Sequence, residues 1–478
     1  MNPLLLSDAY KYSHYKFYHP QTEKIYSYLE SRGGEFEETV FFGLQYILKN
    51  YLCKPFTRAD VDEAEIVLQG VFGRKDVFDR SKFDYILEKH GGLFPVRIKA
   101  LPEGSVTPIR NVMMTLENTD PNCPWVTNFL ETLLLQVWYP ITVATLSREI
   151  RKVAQQYLEQ TSDHLDVDFF LNDFGFRGVS SVESAGLGDA AHLVNFRGSD
   201  TIAGSVLIRR FYNTDTIYGG SIPATEHSIC TQEGEAGELD VFRRVLATYP
   251  EGMVACVSDS YDIFRACREY WGGALKDGIL ARKGTLVIRP DSGDPVRTLL
   301  EVFDILFERF GFTVNSKGFR VLPPQVRVIQ GDGVQLDSIR AILEALTGAG
   351  IATENIVFGM GGKLLQGVHR DTLEFAIKCS YTVVDGYGHS VVKTPLEMDA
   401  EGHLRRSFKK SKSGRLCLRQ HAGTGEFKTF SESEITGPAW SEDLLEPVFE
   451  NGRMLREWRF EEVRERAEVK EGVLAGGV

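Results

Sequence analysis

Between residues 254 and 362 a short apolar run gives way four times to an acid- or glycine-rich turn, and this recurrence is what most limits the fold. The run 254–257 is followed by Ser258-Asp259-Ser260 and then by Ile263, Phe264, Cys267 and Trp271 at helical spacing. The run 285–288 meets Arg289-Pro290-Asp291-Ser292-Gly293-Asp294-Pro295, after which Val296, Leu299, Leu300, Phe303, Leu306, Phe307 and Phe310 mark one helical face. The run 326–329 leads through Gly331-Asp332-Gly333 into Leu336, Ile339, Ile342, Leu343 and Leu346, ending near Gly348, and 356–358 leads into Gly359-Met360-Gly361-Gly362. Serial strand, turn and helix units predict parallel strands, and a barrel of such units carries its chemistry on the loops at the strands' C-terminal ends. Asp, Gly and Pro also form ordinary turns, so any single loop is uninformative; four such loops at one barrel mouth point to a site.

The flanks read differently. Residues 26–29 and 96–116 cluster as strands around Pro102, Gly104 and Pro108, and 415–430 reads as a hairpin around Gly423-Thr424-Gly425. The expectation is an α/β protein: an irregular β/α barrel over residues 151–390, and a β-rich α+β domain built from 1–150 together with 391–478.

A net charge of -12 argues against a nucleic-acid partner, which needs a basic face to neutralise phosphates. No apolar run approaches the roughly 18 residues of a membrane span, and the first ten residues lack a basic segment followed by an apolar core. The cysteines (Cys53, Cys123, Cys230, Cys256, Cys267, Cys379, Cys417) are scattered and form no C-x-x-C pair, as expected of reduced, structural thiols in a cytoplasmic protein. Asp173-Phe174-Gly175 and His369-Arg370-Asp371 imitate kinase motifs, but a kinase has its catalytic loop before the Asp-Phe-Gly, and here the order is reversed. Dinucleotide, P-loop and H-E-x-x-H motifs are absent from the sequence.

What remains suits a phosphorylated sugar. Gly361-Gly362 lets backbone N–H groups approach a phosphate closely. Asp291 and Asp332 can accept hydrogen bonds from ribose hydroxyls, and Arg177, Arg289 and Arg370 offer forked donors for phosphate oxygens. His227, between Glu226 and Ser228, reads either as a hydrogen-bonded structural residue or as a nucleophile, with Glu226 and Asp259 as candidate orienting partners.

The runs Ser7-Asp8-Ala9-Tyr10-Lys11, Asp173-Phe174-Gly175-Phe176-Arg177-Gly178-Val179-Ser180-Ser181, Pro223-Ala224-Thr225-Glu226-His227-Ser228, Ile288-Arg289-Pro290-Asp291-Ser292-Gly293 and Gln330-Gly331-Asp332-Gly333-Val334 closely resemble the nicotinamide phosphoribosyltransferase family, in order and over nearly the whole chain. The resemblance implies a type II phosphoribosyltransferase fold and a homodimer with two active sites shared between subunits. It implies that nicotinamide and 5-phosphoribosyl pyrophosphate give nicotinamide mononucleotide and pyrophosphate in NAD salvage, with Mg²⁺, and with ATP as co-substrate phosphorylating His227. By the same resemblance Phe174 stacks on the pyridine ring opposite Tyr10 of the partner subunit, Asp200 accepts from the carboxamide, and Arg289 donates near the amide and the pyrophosphate. Asp291 and Asp332 fall to the ribose, Gly331 to the phosphoribosyl pyrophosphate site, Gly361 and Gly362 to the 5'-phosphate, and Arg177, Arg32, Arg370, Lys378 and Lys393 to phosphate and pyrophosphate. His227, Asp291 and Arg289 are the expected catalytic residues; no direct metal ligand is implied. Two positions depart from the family: Ala376 stands where the family carries a serine that touches phosphate and Ala255 where some members carry serine, and the segment after Arg32 is shorter. The rival substrate is nicotinate, which a carboxylate at Asp200 would repel; a barrel retained for a non-catalytic role is the rival outside catalysis.

Overall fold

The apolar runs form parallel strands where their pattern predicts them. In the computed structural model, which describes residues 2–393, 396–398, 404–406, 412–434 and 436–469, two strands that the sequence pattern did not disclose, β1 (Leu171–Asp173) and β2 (Gly198–Ser199), join the four predicted ones, β3 (Val254–Val257), β4 (Leu286–Arg289), β5 (Val326–Gln330) and β6 (Ile356–Met360). They lie in the order β2-β1-β6-β5-β4-β3, every pair parallel. The two outer strands are joined by an extended segment that the sequence pattern did not disclose. Gly220 bridges Gly198 and Ala224 bridges Ala255, both parallel, so residues 220–225 close the sheet into a barrel. Four backbone bonds make the closure: Ser199 N–H to Gly220 O (2.9 Å), Gly220 N–H to Arg197 O (2.7 Å), Ala255 N–H to Pro223 O (2.9 Å) and Thr225 N–H to Ala255 O (3.1 Å).

The crossovers are helical for local reasons. Asp294 caps Pro295–Phe310 by accepting the Arg297 N–H at 2.8 Å, Pro295 starts the helix without needing a donor, and Gly311 ends it. Its buried face includes Leu299, Phe303, Leu306 and Phe307, each contributing about 1.5–3 kcal/mol by leaving water. The helix expected after β3 is instead a wide π-helix over Ala266–Ala274. The wider turn accommodates a buried Trp271, which stacks on Phe242 (centroids 4.2 Å apart) and donates Nε1–H to Ser258 Oγ at 3.0 Å.

The chain divides into two compact units: Val143–Arg209 with Asp215–Val368, which hold the barrel, and Met1–Thr142 with Arg210–Thr214 and His369–Ala467. The second unit contains an antiparallel sheet in the order Tyr387–Ser390, Phe375–Val384, Thr22–Ser31, Val112–Asn118, Val96–Ala100, Glu446–Glu450, Arg453–Met454. N- and C-terminal segments therefore share one sheet. The strand Phe375–Val384, which falls within the barrel segment as drawn from sequence, pairs with Thr22–Ser31 in this sheet. The hairpin read around Gly423 forms between Leu416–Gln420 and Phe427–Ser431.

Candidate active site

Alternation along the strands decides which side chains enter the barrel. Ala255 and Val257 on β3, Val287 and Arg289 on β4, and Arg327 and Ile329 on β5 are spaced two apart and line one cavity of about 460 Å³. Phe174, Asp200, Ser221 and Arg289 border it at the C-terminal strand ends; Met253, Thr285 and Arg327 border it at the opposite ends. The size suits a small molecule, and the wall is apolar with a few converging polar groups. Ala255 keeps that stretch of wall apolar.

Phe174 sits just after β1, where its N–H donates to Met360 O at 2.9 Å. The Arg289 guanidinium lies 5.5 Å from the Phe174 ring centroid, within cation–π range. Its position is fixed by Asp291, whose Oδ1 accepts Nε–H at 3.1 Å and Nη2–H at 2.8 Å. Gly331 allows this placement, since a Cβ there would fall 3.0 Å from Arg289 Nε. Asp291 turns its other oxygen toward His227, with Oδ2 4.0 Å from Nδ1. His227 Nε2 is 3.1 Å from Oδ1 of Asp259. Asp259 is buried while the imidazole is half exposed, so a fixed carboxylate orients a reachable ring. Of the two orienting candidates for His227, Asp259 is in place; Glu226 instead accepts the Ser228 hydroxyl.

Asp200 follows β2, and its Oδ1 accepts the hydroxyl of Ser221 from the closing segment. Beneath this end, burial first of all pushes the Asp173 carboxyl up to about 6 and raises the Asp189 carboxyl well above its ordinary range. On the other side of the mouth, Gly178 and Gly362 meet backbone to backbone: a Cβ on Gly178 would fall 2.9 Å from Gly362 Cα. That contact brings the exposed Arg177 turn beside Gly361-Gly362. Asp332 is exposed in the loop after β5, where its carbonyl accepts Gln330 Nε2–H at 2.8 Å.

Tyr10, Arg32, Arg370, Lys378 and Lys393 belong to the antiparallel unit. Tyr10 is 57% exposed on a short 3₁₀ helix, with His14 edge-on at 4.9 Å. Arg32 donates its backbone N–H to Glu374 O at 3.4 Å. Arg370 pairs with Asp371 at 3.1 Å, Lys378 lies opposite Tyr28 in the sheet, and Lys393 is exposed. Ala376 lies opposite Glu30 in the same strand pair. All seven cysteines are free. Among the described residues no helix is long and apolar enough to cross a membrane, and no group of three or more His, Cys, Asp or Glu side chains is placed to hold a metal ion.

Residues 169–421 match the nicotinate phosphoribosyltransferase (NAPRTase) family. The chain belongs to that family. Its residues 2–98 further match the N-terminal domain of nicotinamide phosphoribosyltransferase. This phosphoribosyltransferase is 48% identical to a protein of Xanthomonas campestris pv. campestris named nicotinamide phosphoribosyltransferase, over 98% of both chains. It is 31% identical to one of the same name from Acinetobacter baylyi, over 98% of this chain and 97% of that one. Two solved structures share the fold: nicotinate-nucleotide pyrophosphorylase from Pyrococcus furiosus (TM-score 0.60, 16% identity, 96% of this chain and 93% of that one) and human nicotinic acid phosphoribosyltransferase (TM-score 0.58, 17% identity, 97% and 93%).

Sequence reasoning missed three contributors. Ser221 lay in a segment without strand periodicity, so its partnership with Asp200 was hidden. Asp189 was one acid on a helix of small residues. Gly359 did carry a signal: a glycine ending an apolar run marks a close approach, and the structure places it inside β6, not in the loop.

Proposed function

We propose that the protein transfers the phosphoribosyl group of 5-phosphoribosyl pyrophosphate to the ring nitrogen of nicotinamide, releasing pyrophosphate and forming nicotinamide mononucleotide for NAD salvage. The observation that carries the choice of base is the charge arrangement at the cavity mouth. Arg289 is neutralised by its fork onto Asp291, whereas the hydrogen-bond partner of Asp200 is a hydroxyl and not a cation. At this mouth Asp200 is left as a carboxylate without a cation, while Arg327 lies at the opposite end of the cavity, so the local charge favours an amide N–H donor and repels a carboxylate.

In this reading Phe174 and Arg289 hold the pyridine ring, and the bond from ribose C1 to pyrophosphate breaks as the ring nitrogen approaches. Asp291, Asp332 and Gly331 hold the ribose, and Gly361, Gly362 and Arg177 hold the 5'-phosphate. Catalysis comes from positioning and charge stabilisation, with no protein nucleophile at the sugar. Asp259 and Asp291 would be the carboxylates at hand for Mg²⁺, which would supply charge neutralisation for the departing pyrophosphate. In a separate step ATP phosphorylates His227: Asp259 holds the proton on Nε2, the Nδ1 lone pair attacks the γ-phosphorus, and ADP leaves. Two subunits complete each site, Tyr10 of the partner subunit covering the second face of the base, with Arg32, Arg370, Lys378 and Lys393 adding positive charge. The compartment is the cytoplasm.

Product formation with both bases, with and without ATP, tests the reading. Nicotinamide should be the preferred base, ATP should stimulate turnover, and acid-labile label from γ-labelled ATP should appear on the wild type and not on His227→Ala. A preference for nicotinate would reject the substrate assignment.

A further inference from the structure

Two buried carboxyls outside the substrate-contacting set face one another beneath the pyridine end. Asp173 ends β1 and Asp189 lies on the helix Val182–His192; both are fully buried. One oxygen of each is tied to the loops that carry the base-binding residues. Asp173 Oδ1 accepts the Gly175 N–H at 2.7 Å, across the turn that presents Phe174, and the Asp173 carbonyl accepts the Asp200 N–H at 3.0 Å. Asp189 Oδ1 accepts the Ser199 hydroxyl at 2.6 Å, and Ser199 Oγ accepts the Thr201 N–H at 2.9 Å, so the loop around Asp200 is gripped on both sides.

The second oxygens are the informative atoms. Asp173 Oδ2 and Asp189 Oδ2 are both buried and lack a well-formed hydrogen bond; the donors nearest the two carboxyls are the Thr201 hydroxyl at Asp173 and the Gly204 N–H at Asp189, and both are neutral. The two carboxyls act on each other, and the further charge that acts on Asp173 is Asp200, of the same sign. Helix Ile202–Phe211 closes over the pair: a Cβ on Gly204 would lie 2.0 Å from Asp189 Oδ2. Two buried anions in contact with no cation would repel strongly, and an unpaired buried oxygen costs free energy on its own. One proton between the two Oδ2 atoms removes both penalties at once.

We propose that Asp173 and Asp189 share a single proton and work as one positioning unit, locking the Phe174 turn to the Asp200 loop so that the stacking ring and the amide acceptor keep a fixed spacing. Neither carboxyl touches substrate. The proposal rests on the base-binding reading of Phe174 and Asp200 and adds the device that aligns them.

The test uses Asp189→Asn, Asp173→Asn, the double asparagine variant and Asp189→Ala in the full chain. In either single asparagine variant the amide oxygen keeps the loop bond while the amide N–H replaces the shared proton, so KM for nicotinamide should stay within about threefold of wild type. In the double variant two N–H₂ groups face each other, and in Asp189→Ala the bridge is gone. Both should raise KM for nicotinamide by about tenfold or more, with KM for the sugar pyrophosphate within about twofold. The wild-type-minus-Asp189→Asn infrared difference at neutral pH should contain a protonated-carboxyl C=O band. A double variant no worse than the product of its singles, an Asp189→Asn as impaired as Asp189→Ala, or a missing band would overturn the proposal. If no nicotinamide mononucleotide formed at all, the functional reading would fall, while the infrared band and the melting temperatures of the four variants would still decide the shared proton.

Discussion

Replacing Gly359 by Ala is a sharp probe of the base site, because the clash it creates is aimed at one ring. A Cβ at 359 would lie 2.0 Å from Cε2, 2.4 Å from Cδ2 and 2.8 Å from Cζ of Phe174. Carbon atoms in contact sit about 3.5–4.0 Å apart, so the ring edge must retreat by roughly 1.5 Å. The backbone has little freedom to absorb this, since Gly359 is paired with Asn172 and Met360 with Asp173, and Phe174 N–H is bonded to Met360 O. The side chain must therefore rotate, leaving both its stacking position and the face it shows to Arg289. Overpacking of this kind costs about 1–3 kcal/mol of stability. Loss of an aligned aromatic contact costs a further ~0.5–1.5 kcal/mol of base binding, or roughly two- to tenfold in KM. The assay is initial rates of mononucleotide formation against nicotinamide at saturating sugar pyrophosphate, beside urea denaturation. Gly361→Ala is the control: its Cβ would find Phe174 O at an ordinary 3.9 Å, so any effect should fall on KM for the sugar pyrophosphate instead. A Gly359→Ala enzyme with unchanged KM for nicotinamide would refute the assignment of Phe174 to the base.

Removing the charge at Asp200 with Asn should raise the relative kcat/KM for nicotinate by about five- to tenfold, the worth of roughly 1 kcal/mol of repulsion; competition between the two bases measures it, and an unchanged ratio would exclude Asp200 as the discriminator. Arg289→Lys replaces a fork with a point charge and loses at least one bond to Asp291, so kcat/KM should fall about ten- to hundredfold with little change in melting temperature. Stability should also depend on pH through Asp173, whose carboxyl ionises near 3.8 when exposed but near 6 in the fold. The folded state binds the extra proton between those values, so its stabilisation is complete below 3.8 and is lost as pH rises through about 6. In Asp189→Asn an amide donor favours the Asp173 anion, and the decline, followed by urea denaturation from about pH 4.5 to 7, should flatten.

Much of the barrel was legible because it obeys local rules. Strands β3 to β6 are apolar runs long enough to be recognised, and the helix Pro295–Phe310 announces itself through Asp294, Pro295 and its apolar face. The closing segment 220–225 was not legible, because it makes only isolated bridges to β2 and β3 and carries Gly220, Ser221 and Pro223 in place of an apolar run. Its neighbours, set by the register of strands distant in sequence, supply the pairing that its own composition does not. The site shows the same division. Phe174, Arg289, Asp291 and His227 stood out as chemistry-bearing residues in distinctive motifs, and the structure brings them into one continuous set of contacts. Ser221, Asp189 and Gly359 matter through what they touch: a hydroxyl turned toward Asp200, a carboxyl pressed against Asp173, and the missing Cβ that seats Phe174. A residue whose role is to leave space or to share a proton has no side-chain signature of its own, so only the packing of parallel strands and their crossover helices identifies it.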